Sequence, residues 1–310
     1  MTASTSTLTL KTALGSYGHV AALKDGSIKP DGVAFDYVEV APIINAFRRM
    51  CRQLEFDVSE MAITTYITAK AYGLPFTAIP VFPVRAFHHG AWVYNVKSGV
   101  KEPKDLEGKK VGMRAYTVTT GVWARGILAS EYGVDMSKVT CVLADEEHVD
   151  AFHKDAPPMA QYQLGADLMK MLLEGELVAG VGVGRTESED IKPLIANARA
   201  VDAEAYKTTG VYPINHMVVV KDSLLAEHPT LAQRLFEAFK AAKEQWLKNA
   251  TEDDKKAAGH NIVTGDPLPY GVEANRPALE TIAGYALDQK ILPRKFELSE
   301  LFAKGTMDLK

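Results

Sequence analysis

Segments patterned as strands and segments patterned as helices alternate along this chain in two successive runs. That alternation limits the fold more than any other feature. In the first run, TLTLKTAL (7–14) and VAFDYVEV (33–40) alternate with the period of two that marks a strand, and PIINAFRRMCRQL (42–54) carries apolar residues at helical spacing. FDVSEMAIT (56–64) reads as a buried strand, TYITAKAYGL (65–74) as a helix closed by Gly73, and FTAIPVF (76–82) as a strand. The second run gives a strand at Lys110–Met113, an amphipathic helix over 119–133 and a strand over 138–144. An irregular acidic loop over 145–160 follows, then a helix over 164–176 and a strand over 177–184. Beyond about residue 200 a strand and turn (216–225) precede two long helices, 229–250 and 274–291. Such alternation predicts an α/β protein. The tail is too helical to stand alone and is expected to pack back on the first run. The expectation is two lobes, residues 1–95 plus 205–310 and an inserted 96–204, with a ligand cleft between them. A chain of 310 residues suits two domains.

Composition narrows the partners. The net charge is −4 and no long basic run occurs, which argues against nucleic acid or an anionic membrane. No apolar stretch approaches the ~18 residues of a membrane span. The start, MTASTSTLTLKTAL, lacks a basic segment followed by an apolar one, so a cytoplasmic protein is expected. Cys51 and Cys141 sit far apart in apolar contexts and are expected to be buried free thiols. The oligomeric state stays open, because the Phe- and Trp-bearing helix 229–250 suits a homo-oligomer interface as well as a core face.

Several residues stand where ligand chemistry belongs. In KVGMRAYTVTTGVWARG (110–126) a strand gives way to a helix, with Arg114, Tyr116, Thr117, Thr119 and Thr120 at the junction and Trp123 one turn on. A helix N-terminus carries partial positive charge and unpaired N–H groups, so this junction is a candidate carboxylate site. The alternative is that Thr119 only caps the helix and Arg114 lies on the surface. The first run has a parallel junction at Ser59, Glu60, Thr64 and Thr65, with capping as its alternative. PVFPVRAFHHGAWVYN (80–95) offers Arg85, His88 and His89. Alternation along an extended chain lets only one of these histidines face a ligand, and the spacing does not suit a metal pair. His216 precedes a strand at the return crossing, as a second acid–base candidate. DPLPYGVEANR (266–276) adds Tyr270 and Glu273 at a helix entry. His148 and His153 lie in the acidic loop, which reads as solvated. GVGVG (180–184) follows a helix and lacks a phosphate-loop lysine, so no nucleotide is expected.

Taken in order, FDVSEMAITTYI, IPVFPVRAFHHG, VWARGIL, TGVYPINH and DPLPYGVEANR resemble segments of the 4,5-dihydroxyphthalate decarboxylase family over roughly residues 8–290. The resemblance implies a type II periplasmic-binding-protein-like fold used by an enzyme. It also implies loss of CO2 from a dihydroxylated aromatic acid to give protocatechuate, as in phthalate degradation, with no organic cofactor; no residues have good metal-ligand spacing, and metal dependence stays open. Where the family reads F-P-S-R-x-F-R-H-S, this chain keeps Arg85 and His89 but carries Val84, His88 and Gly90. Losing an arginine weakens the grip on a second carboxylate, so the substrate is expected to be this compound or a close analogue.

The chemistry needs one group to polarise a phenol and one to deliver a proton, and histidine suits both. His89 or His216 is the expected proton donor. Arg85 and Arg114 are expected to orient carboxylates. The alternatives are a solute-binding or sensor protein for a small organic acid, and another enzyme on the same scaffold, such as a chorismate dehydratase.

Overall fold

The computed structural model describes residues 7–310. Residues 1–6, part of the start read above for a leader, lie outside that range. Among the described residues the strands are β1 (Leu8–Ala13), β2 (Val33–Tyr37), β3 (Val58–Ala62), β4 (Phe76–Arg85), β5 (Trp92–Asn95), β6 (Lys110–Met113), β7 (Thr140–Leu143), β8 (Ala160–Tyr162), β9 (Ala179–Val181), β10 (Ile191–Pro193) and β11 (Ile214–Lys221). They form two sheets, ordered β2-β1-β3-β11-β4 and β10-β5-β9-β6-β7-β8. Helices lie between most of the strands, as the alternation predicts.

The chain divides into two compact units. Unit 1 is Met1–Arg85, Ile214–Leu279 and Phe296–Lys310; unit 2 is Ala86–Pro213 and Glu280–Lys295. The first two crossings therefore lie at 85/86 and 213/214 rather than near 95 and 205, and two more lie at 279/280 and 295/296. β5 is the reason for the first shift, because it pairs with β9 and β10 and so belongs to the second sheet. The helical tail is also shared between units. Helix Leu231–Asn249 stays with unit 1, whereas most of helix Arg276–Asp288 joins unit 2. There the Tyr285 ring lies where a side chain on Gly126 would stand, meets Trp123 edge-on at 5.7 Å, and bonds Ser130 through its hydroxyl at 2.7 Å. Only glycine at 126 permits that approach.

The two sheets share one plan. In unit 1, β1 runs parallel to β2 and β3, and β11 is antiparallel to β3 and β4. In unit 2, β6 runs parallel to β7 and β9, and β5 is antiparallel to β9 and β10, with β8 added at the edge. In each unit the antiparallel strand is the first strand formed after the chain crosses into it. β4 holds Pro80 and Pro83 although it is almost wholly buried. It is an edge strand, where a missing N–H is tolerated. Its carbonyls are not left bare: Ala78 and Pro80 accept from the Ala303 and Gly271 amides, each at 2.9 Å.

The unit 1 core joins Leu10, Val58, Ile79, Val218 and Val220 of the sheet to Leu231, Leu235, Phe236 and Phe239. The helical spacing of the last four puts them on one stripe. Truncating one such Leu to Ala costs about 2–5 kcal/mol. The apolar face carrying these residues is thus a core face. Cys141 is buried and Cys51 half-buried, both free. The chain after β11 forms a short helix, Asp222–Glu227, where a turn was expected. Among the described residues no helix is long and apolar enough to cross a membrane.

Candidate functional site

In unit 1 the carboxyl ends of β1, β3 and β4 meet the start of the antiparallel β11, and chemistry-bearing side chains gather there. His216 and Glu60 stand diagonally on neighbouring strands, since His216 faces Ala62 and Val218 faces Glu60 in the ladder. Diagonal partners on one sheet face lie within reach of long side chains. His216 Nδ1 meets Glu60 Oε1 at 2.6 Å. Against β4 the register slips on both sides of His216. Such irregularities re-aim a side chain.

Glu60 is fully buried, yet it is surrounded by donors. Tyr17 Oη donates to Oε1 at 2.8 Å and the Gly15 amide donates to Oε2 at 2.9 Å. Burial pushes the carboxyl up, but the hydrogen bonds from His216, the Gly15 N–H and the Tyr17 hydroxyl outweigh it and hold Glu60 below the usual carboxylate range. Burial first, and then the neighbouring Glu60, raise the Tyr17 phenol, so its proton stays in place. The His216 side chain is part-exposed.

The other unit 1 candidates have mixed fates. Ser59 is buried and its hydroxyl donates to the Glu60 carbonyl at 2.8 Å. Thr64 lies buried in the first turn of helix Ile63–Ala71, and its carbonyl accepts from Thr68. Arg85 pairs with Ile214 in the ladder. Its Nη2 donates to the Pro269 carbonyl at 2.9 Å and to the Asn275 side chain. Tyr270 is buried beneath the Lys243 ammonium, 4.3 Å from its ring centroid. Glu273 is exposed and paired with Arg276, on the rim of an open cavity that the buried Lys243 and Tyr270 also line.

Unit 2 corrects more. β4 ends at Arg85 and a short turn, His89–Ala91, follows, so strand alternation does not apply to the two histidines and both are buried. His89 Nδ1 lies 2.6 Å from Asp202 Oδ1 and Nε2 lies 2.8 Å from Glu131 Oε2. Burial works against the charged ring, but the two carboxylates win and push its pKa up to about 9. His89 is thus a buried ion-pair centre in this structure, with both ring nitrogens engaged by carboxylates. His88 stacks on Trp123 with ring centroids 6.2 Å apart.

The junction before helix Thr119–Tyr132 is tied from within. Glu147, read from the sequence as part of a solvated loop, is buried. It accepts from the Tyr116 amide at 2.6 Å, the Thr117 amide at 3.0 Å, the Thr117 hydroxyl at 2.5 Å and the Tyr162 hydroxyl at 2.9 Å. Arg125 takes the Tyr116 carbonyl at 2.6 Å and lies 4.0 Å from the Tyr116 ring centroid. Tyr116 is therefore a core residue, with its hydroxyl on the Gln289 carbonyl. The Tyr116 and Thr117 amides, just before the helix, therefore hold an internal carboxylate. Arg114 lies 3.5 Å from Asp145. Thr119 is buried and Thr120 half-buried in the first turn. Among the described residues no group of three or more His, Cys, Asp or Glu side chains converges as a metal site.

Residues 52–252, more than half of the chain, match the family described as NMT1/THI5 like. The chain belongs to the NMT1/THI5-like family. It also resembles proteins named 4,5-dihydroxyphthalate decarboxylase. It is 26% identical to the one from Comamonas testosteroni across 98% of both chains. It is 32% identical to the one from Pseudomonas putida across 56% of this chain and 70% of that one. Among solved structures it is similar to the periplasmic aliphatic sulphonate binding protein SsuA of Escherichia coli, with a TM-score of 0.56 and 13% identity, over 95% of this chain and 91% of the other. That likeness shows the periplasmic-binding-protein fold. Family membership places Glu60, Arg85, Tyr116, Glu147 and His216 inside the matched span, and leaves Gly15 and Tyr17 before it.

Sequence reading missed Tyr17, Gly15, Glu131, Asp202 and Glu147. Tyr17 had a signal, because GSYGH places an aromatic hydroxyl between two glycines just past a strand. Glu131 and Asp202 reach His89 from helices 42 and 113 residues away, and no local pattern marks them.

Proposed function

We propose that this protein is a non-oxidative decarboxylase of a hydroxylated aromatic acid of the phthalate type, converting 4,5-dihydroxyphthalate or a close analogue to protocatechuate or its counterpart. One observation carries the reading. A buried, ionised Glu60 holds His216 at the strand ends of unit 1, in a chain similar along nearly its whole length to a named decarboxylase.

The difficulty of the reaction explains why such a pair is useful. Direct loss of CO2 leaves an aryl carbanion in the ring plane, with no resonance to spread its charge. Protonating the ring carbon that bears the carboxylate avoids this. A hydroxyl para to that carbon feeds in the electron pair once its O–H bond is polarised. His216 has Nδ1 on Glu60, so Nε2 is the nitrogen that serves the phenol. The phenol proton moves to Nε2, and the ring carbon takes a proton from solution. The carbon–carboxylate bond breaks, and its electron pair restores the aromatic ring. The phenolate then regains its proton from Nε2. The balance is one carboxylate and one proton in, one arene carbon–hydrogen bond and one CO2 out. Arg85 supplies positive charge in the same strand-end group and orients a carboxylate.

The test is to incubate the purified protein with 4,5-dihydroxyphthalate and follow CO2 and protocatechuate. Equal release of both supports the reading. A stable complex with no CO2 overturns it in favour of a solute-binding protein, which the likeness to SsuA favours. Native mass spectrometry of the complex reads that second outcome.

A further inference from the structure

The segment GSYGH, residues 15–19, is built around Glu60. Gly15 gives its amide to Oε2 and Tyr17 its hydroxyl to Oε1, the oxygen that also meets His216 Nδ1. Every feature of the segment holds Tyr17 in that place. A Cβ on Gly15 would overlap the Tyr17 hydroxyl and the end of its ring, so the ring folds back over the end of β1 only because residue 15 has no side chain. His19 stacks on Tyr17 with ring planes 1° apart and centroids 5.3 Å apart. His19 in turn meets Trp246 edge-on at 5.9 Å. A Cβ on Gly18 would stand 2.6 Å from Trp246 Nε1, so a second glycine lets that indole close over the loop. Burial pushes the His19 imidazole down to about 4, so at neutral pH it stacks as a neutral ring.

We propose that Tyr17 is a positioning residue. It acts through Glu60 to fix which nitrogen of His216 carries the proton, and Gly15 and the stack behind Tyr17 exist to hold it there. Three donors share a single carboxylate. An ionised Glu60 accepts from three donors and donates to none. With the Gly15 amide on Oε2 and Tyr17 on Oε1, the group cannot swing, and Oε1 stays on His216 Nδ1. The ring is thereby held as the Nδ1–H tautomer with Nε2 facing away from Glu60. Without the Tyr17 hydroxyl the carboxylate turns about its last bond, and the preference for Nδ1–H weakens. The assignment of Nε2 to the phenol rests on the function proposed above; the control of the tautomer does not.

The experiment uses the full chain labelled with 15N, as wild type, Tyr17→Phe and Gly15→Ala. The ring-nitrogen shifts of His216 are read without ligand, and 4,5-dihydroxyphthalate turnover is read in parallel. Wild type is expected to show a protonated Nδ1 and a bare Nε2. Tyr17→Phe, which removes one oxygen, is expected to lower the tautomer ratio and kcat by about tenfold with KM within about twofold. Gly15→Ala is expected to move both in the same direction. If Gly15→Ala does not fold, Tyr17→Phe decides alone. An unchanged tautomer ratio in Tyr17→Phe overturns the proposal. A shifted ratio in a protein whose wild type releases no CO2 supports it and overturns the decarboxylase reading instead.

Discussion

Each unit places a histidine at the entry to its antiparallel strand, and the two are put to opposite uses. His216 lies near the start of β11 in unit 1, and His89 stands three residues before β5 in unit 2. The sheets share one plan, but His216 is the third residue of β11 whereas His89 lies in the turn before β5. His216 meets a single carboxylate, which Tyr17 and Gly15 also occupy, and its side chain is part-exposed. His89 is buried with a carboxylate on each nitrogen. Under the proposed function the number of carboxylates matters more than the strand-entry position: one leaves Nε2 of His216 for a ligand, whereas two engage both nitrogens of His89.

The comparison can be broken in four ways, from the largest effect down. Glu60→Gln keeps the shape of the side chain and removes its charge. It is expected to lower kcat about 10²–10³-fold with the far-UV circular dichroism unchanged. A loss under threefold would place the chemistry elsewhere. His89→Gln leaves Asp202 and Glu131 without their cation and is expected to cost about 2–4 kcal/mol by urea denaturation. No loss of stability there would remove the structural role argued for it.

The third test uses pH. The folded-state pKa of His89 is raised from 6.5 to about 9. Its stabilisation is therefore complete below pH 6.5 and is lost as pH rises through about 9. Because Glu131 is part-exposed, the contribution is on the order of 1–2 kcal/mol. Unfolding midpoints of wild type should fall between pH 6.5 and 9 relative to those of His89→Gln, and parallel curves would contradict the ion-pair account. The smallest effect belongs to Glu273→Ala. That exposed pair with Arg276 is expected to be worth less than about 0.5 kcal/mol and to leave turnover unchanged. A tenfold loss of activity would return Glu273 to the site.

Much of the fold was legible because its signals are local. The alternation that places β1, β3, β4 and β6 depends on neighbours in sequence, and so does the stripe Leu231, Leu235, Phe236 and Phe239. Glu60 and His216 were each readable as strand-end residues, but not as a pair. Their 2.6 Å contact depends on a ladder between residues 156 positions apart. The acidic loop misled for the same reason. Glu147 looks solvated until the Tyr116 and Thr117 amides come to it from 30 residues away. Helix Arg276–Asp288 has the pattern of any amphipathic helix, and it is the contacts of Tyr285 with Gly126, Trp123 and Ser130 that tie it to unit 2. Polar side chains are assigned by long-range partners, and those partners leave no periodic trace.

The most direct measurement compares CO2 release from 4,5-dihydroxyphthalate by His216→Gln and His89→Gln, each rate taken per folded molecule. The account predicts a loss of about 10²–10⁴-fold for His216→Gln and a change under about threefold for His89→Gln. The reverse order, with His216→Gln near wild type and His89→Gln inactive though folded, would contradict it.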